Sequence, residues 1–172
     1  MTVEEAIQTA LQFERRVSGV YEEAAVRASD DTAKKMLQVM VGEEKRHVEY
    51  LEARLAEWKS TGKVRAAALA TDLPSVKVIQ AGVKKLKERI AMPERERREA
   101  IEILKRALEV EQETSTFYEQ MVRQLAAPED RAMFQRFLEI EAGHFTIVQA
   151  ELDSVQGFGY WFDVQEFKLE SG

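Results

Sequence analysis

The sequence predicts an all-α fold: a four-helix bundle of two similar helical hairpins, joined by a long crossover that carries a short helix of its own. Three observations carry this reading. Ala, Leu, Glu, Lys, Arg and Gln dominate, while the 172 residues include only 8 glycines and 3 prolines, which is the composition of long helices. Apolar residues recur at helical spacing over four long stretches, with charges filling the remaining positions. The second pair of stretches also repeats the first. Adding 97 carries Glu14, Ser18, Tyr21, Glu22, Met36, Gln38, Glu44, His47, Ala53 and Leu55 onto identical residues.

The first helix is expected from Thr2 to about Ala28, because Ile7, Ala10, Leu11, Val17, Tyr21 and Ala25 share one face. The polar run Ser29-Asp30-Asp31-Thr32 suits the end of one helix and the cap of the next. Met36, Leu37, Met40, Val48, Leu51 and Leu55 then define a second helix to about Trp58. Lys59-Ser60-Thr61-Gly62-Lys63 breaks the pattern and opens the crossover, residues 59–92, in which Val76, Ile79, Val83, Leu86 and Ile90 form a shorter amphipathic stretch. Pro93 with Glu94 and Glu96 marks the start of a third long helix, to about Ala126. Pro128-Glu129-Asp130 has the same chemistry and opens a fourth, whose inner face carries Met133, Phe134, Phe137, Ile140, Phe145, Val148 and Leu152. One domain is expected over residues 1–157, followed by an aromatic tail, residues 158–172, which is too apolar to lie free in water.

Composition narrows the function. A net charge of -6 argues against a general nucleic-acid binder, which neutralises phosphates with surplus Lys and Arg. The chain has no cysteine, so disulfides, zinc ribbons, iron-sulfur clusters and thiol catalysis are excluded, and any metal must bind carboxylate or imidazole. The first residues lack the pattern of a signal peptide and no apolar run matches a membrane span, so the expected location is the cytoplasm, with no membrane partner. Lys84, Lys85, Lys87 and Arg89 form a basic run on the crossover, read as a solvated face.

The chain has two histidines, and each stands three residues after a glutamate, as Glu44 with His47 and Glu141 with His144. On a helix, residues three apart face the same way. Glu14 and Glu111 each lie 30 residues before those glutamates, at positions where the periodicity calls for an apolar residue. Four carboxylates therefore point inward, which without cations would raise their pKa values or force the helices apart. Two divalent ions cancel four carboxylates and leave both imidazoles neutral. Oxygen-rich donors with one nitrogen per ion suit iron first and manganese second. One glutamate from each of two helices plus Glu-x-x-His from each of the others is a known di-metal arrangement of four-helix bundles. Tyr21 and Tyr118, seven residues after Glu14 and Glu111, are placed to orient a carboxylate or simply to pack.

With these residues in hand, the chain resembles the rubrerythrin branch of the ferritin-like superfamily over residues 5–155. The resemblance implies that Glu44 and Glu141 bridge two iron ions, that Glu14 and Glu111 are terminal ligands, and that His47 and His144 each complete one ion. It implies a non-haem di-iron oxidoreductase that reduces peroxide or dioxygen. Two departures stand out. Rubrerythrins carry a cysteine-ligated rubredoxin module, whereas this chain has no cysteine, so electrons are expected from a separate donor protein. Rubrerythrins also add a carboxylate one turn after the third helix's ligand, where this chain has Thr114, with Glu113 about 100° away around the helix. The near-symmetric ligand set is similar to the ferroxidase centre of bacterioferritins as well, which makes Fe(II) oxidation the rival activity. A metal-stabilised helical binding module is the third reading. The expected assembly is a homodimer.

Overall fold

The computed structural model describes residues 1–28, 31–65, 68–83 and 93–156. Over these it is all-helical: α1 Val3–Arg27, α2 Asp31–Thr61, α3 Val76–Val83, α4 Glu94–Gln124 and α5 Pro128–Gln156. The basic run at 84–89, the tail 158–172, and Ser29 and Asp30 of the expected cap lie outside the described residues. Among the described residues, no helix is long and apolar enough to cross a membrane.

Local chemistry sets the helix ends. Thr2 caps α1 reciprocally, its hydroxyl accepting from the Glu5 backbone N–H at 3.2 Å while the Glu5 carboxylate accepts from the Thr2 N–H at 2.7 Å. α2 runs to Thr61, three residues past the expected end at Trp58, and stops at Gly62, whose φ of 68° side-chain-bearing residues avoid. Pro93 precedes the first turn of α4, where Glu94 and Glu96 face the positive end of the helix dipole.

α1 packs on α2 and α4 on α5, the two hairpins meet along α1 and α4, and α3 lies on α5. Paired side chains show that α1 and α4 run antiparallel: Arg16 meets Glu113, and higher on α1 Glu23 meets Arg106 lower on α4. Inside, the apolar residues form two clusters. One holds Val17, Val20 and Ala24 of α1, Met36 and Met40 of α2, Leu104 and Val110 of α4, and Ile147 and Val148 of α5. The other holds Ile7 and Leu11, Leu51, Phe117 and Met121, and Phe134 and Phe137. Each long helix passes from one cluster to the other, and the residues at the crossing are Glu14, Glu44 with His47, Glu111, and Glu141 with His144. A polar layer thus lies between two hydrophobic floors, which hold its height on every helix at once.

Candidate metal centre

All six residues singled out from the sequence come together. Glu14, Glu44, His47, Glu111, Glu141 and His144 are each 0% exposed. The His47 Nδ1 lies 3.0 Å from Glu14 Oε2, 3.5 Å from Glu44 Oε2 and 3.2 Å from Glu141 Oε1. The His144 Nδ1 lies 2.7 Å from Glu44 Oε1, 3.2 Å from Glu141 Oε2 and 3.7 Å from Glu111 Oε1. Glu44 and Glu141 therefore each present one oxygen to each histidine, whereas Glu14 serves His47 and Glu111 serves His144. The two imidazole rings are parallel within 5°, with centroids 5.3 Å apart.

Most of these short approaches are not hydrogen bonds. Both oxygens of Glu44, both of Glu141, Glu111 Oε2, His144 Nδ1 and both Nε2 atoms are buried without a hydrogen-bond partner in the protein. A folded interior rarely leaves so many polar atoms unpaired, because each carries a desolvation cost of about 1–3 kcal/mol, more when charged. Lone pairs that converge yet have no donor fit a cation. Two four-residue groups, Glu14-Glu44-His47-Glu141 and Glu44-Glu111-Glu141-His144, have donor atoms within 4.8 Å of one another, and these buried clusters can hold metal ions.

The terminal carboxylates are held from the opposite hairpin. The Tyr21 hydroxyl of α1 donates to Glu111 Oε1 on α4, and the Tyr118 hydroxyl of α4 donates to Glu14 Oε1 on α1. The sequence placed each tyrosine two turns from the glutamate of its own helix. Antiparallel packing instead brings it level with the glutamate across the interface.

With protons alone to neutralise it, the cluster divides its charge unevenly. Burial first, and then the charges of Glu141 and Glu44, push Glu14 well above the usual carboxylate range. Glu111 is raised the same way, by burial and then by Glu141. Burial also opposes charge on Glu44 and Glu141, but the two imidazoles outweigh it and hold both below the usual range. For His47, burial is outweighed by Glu14 and Glu44, and for His144 by Glu141 and Glu44, so both imidazoles titrate well above their ordinary value. Burial and the neighbouring carboxylates push both tyrosines up, Glu111 leading for Tyr21 and Glu14 for Tyr118, which leaves them as donors.

Sequence reasoning missed one group here. Glu43 is also 0% exposed and shares a third set of clustered donor atoms with His47 and His144. The available signal was its spacing four residues before His47, which shares a helix face as surely as three does.

Fold and site together define a helical bundle with a buried carboxylate-histidine centre suited to metal. No protein-family model matches the chain, and no curated protein matches it. Among solved structures, a hypothetical protein from Pyrococcus furiosus superimposes with a TM-score of 0.67 over 94% of each chain at 16% sequence identity, a likeness of fold alone.

Proposed function

We propose that this chain is a ferritin-like protein of the rubrerythrin type: a non-haem di-iron oxidoreductase that reduces peroxide or dioxygen. The observation that carries the reading is the sharing pattern, in which Glu44 and Glu141 each turn one oxygen to each histidine. Glu44 and Glu141 would each serve two ions, Glu14 with His47 one and Glu111 with His144 the other, a donor set whose four negative charges match two divalent cations. Carboxylate oxygens with one nitrogen per ion favour iron, with manganese next. Bound iron would supply two electrons to the oxygen substrate and recover them from a reductant.

The chain's own residues do the rest. Glu44 and Glu141 would hold both ions, and His47 and His144 would hold one each. Tyr118 and Tyr21 fix the terminal glutamates in orientation. The apolar clusters above and below exclude water, which strengthens every charge interaction between them. These 172 residues contain no cysteine, so on this reading the electrons would come from a donor outside them.

Thr114 favours a second reading. It is buried one turn after Glu111 and donates its hydroxyl to the Val110 carbonyl at 2.7 Å, so no seventh ligand stands there. The six-residue array left is nearly symmetric, as in a ferroxidase, for which Fe(II) is the substrate. Stopped-flow mixing separates the two. Rapid consumption of peroxide by protein prefilled with two irons supports the oxidoreductase. Continued oxidation of Fe(II) well beyond two irons per chain supports the ferroxidase. Metal that raises the melting temperature without any turnover would overturn both and leave a metal-stabilised binding module.

A further inference from the structure

Glu43 stands beside both imidazoles without belonging to the six-residue set. The hairpin repeat does not account for it, because the residue 97 positions on is Ile140. One of its oxygens is taken: Oε1 accepts from the Arg46 guanidinium and, at 2.9 Å, from the backbone N–H of Asp72. The Arg46 guanidinium also reaches Asp72 Oδ2 at 3.1 Å, so the crossover is tied down at this point. The other oxygen, Oε2, is buried and has no hydrogen-bond partner. An oxygen of Glu43, one ring nitrogen of His47 and one of His144 lie within 4.8 Å of one another. Both Nδ1 atoms face the inner carboxylates. Both Nε2 atoms are buried and unpartnered, which leaves them open to Glu43.

We propose that Glu43 is a positioning residue for the metal centre: when metal fills the centre, its Oε2 accepts the Nε2–H of His47 and of His144 and so keeps both Nδ1 lone pairs turned toward the metals. The inference rests on the di-metal reading above and deepens it. A neutral imidazole has one N–H, and placing it on Nε2 leaves Nδ1 free to coordinate. A carboxylate acceptor also raises the basicity of the ligating nitrogen, and outer groups of this kind are commonly worth 10–100-fold in metal affinity. One carboxylate can serve two rings here because the rings are parallel and close. Arg46 and the Asp72 N–H hold it in place.

Zinc gives a diamagnetic probe, and with only two histidines in the chain the ring nitrogen spectrum is readily assigned. In 15N-labelled wild-type protein loaded with Zn(II), both rings should show a coordinated Nδ1 and a slowly exchanging Nε2–H. Glu43→Ile, which installs the residue of the other half, should speed exchange of both Nε2–H protons and lower Zn(II) affinity by about 10–100-fold, with helicity by circular dichroism retained. Glu43→Gln keeps an acceptor oxygen and should recover much of the loss. Unchanged Nε2–H shifts and exchange in Glu43→Ile, with affinity within about twofold of wild type, would overturn the proposal. Should that variant fail to fold, Glu43→Gln decides: displaced Nε2–H resonances support the proposal, and unmoved ones reject it. A wild type that takes up no Zn(II) defeats the di-metal reading and this inference with it, whereas two bound Zn(II) with indifferent variants defeats the role of Glu43 alone.

Discussion

Loading the centre with divalent metal should expel protons in a number the electrostatics specify. Below the raised titration ranges of Glu14, Glu111, His47 and His144, each of these groups carries a proton, while Glu44 and Glu141 are ionised. Two imidazoliums then balance two carboxylates. Two divalent cations replace that balance with four carboxylates and two neutral imidazoles, so about four protons leave per pair of ions, or about two per ion. Chelator-stripped protein titrated with Zn(II) in weak buffer over a series of pH values, with the released acid followed in a pH-stat, measures the number directly. The same stoichiometry requires the apparent affinity for each ion to rise roughly a hundredfold per pH unit in that range. Release of fewer than about one proton per pair, or affinity that ignores pH, would refute the charge distribution from which the number is derived.

Stability of the stripped protein should depend on pH with a definite sign. Glu14 and Glu111 are raised above 4.5 and the two imidazoles above 6.5, so their stabilising contributions are complete at low pH and are lost as pH rises through the raised values. Glu44 and Glu141 act oppositely, their contribution being lost only as pH falls through their depressed values. The melting temperature of stripped protein should therefore fall on the alkaline side, and metal should remove most of the fall; a flat alkaline profile in stripped protein would contradict this. Glu44→Ala should prevent occupancy by two metals, whereas His47→Ala should weaken mainly one; elemental analysis that finds two ions in Glu44→Ala rules out a bridge there. Tyr118→Phe removes the donor to Glu14 and should cost about 1–3 kcal/mol in urea denaturation of the stripped protein. Because the bonds are crossed, Tyr21→Phe should weaken the metal beside His144 more than the one beside His47, and equal effects on both would argue against the pairing.

Much of this arrangement was legible because it is written in periodicity. Glu14 and Glu111 could be placed inward since each interrupts an apolar stripe, and a burial cost on that scale demands a compensating partner. Three of the four long helices began near the expected places because Thr2, Pro93 and Pro128 act on their own turns. The contacts missed are those that depend on how helices lie against one another. Seven residues is about 10.5 Å along a helix, too far for Tyr21 to serve Glu14, and only the antiparallel run of α4 beside α1 brings Glu111 level with it. Glu43 escaped for a related reason. Consecutive residues point about 100° apart, so placing Glu44 inward set its neighbour aside, although four residues put Glu43 on the face of His47 too and the crossover covers it.

The crossed tyrosines and shared glutamates bear on how such a centre could arise. Neither hairpin owns a complete donor set: His47 lies beside Glu141, His144 lies beside Glu44, and each outer carboxylate is steadied by a ring from the other half. A polypeptide half this long would capture little alone, yet two identical copies meeting antiparallel could build the whole cage about a true dyad.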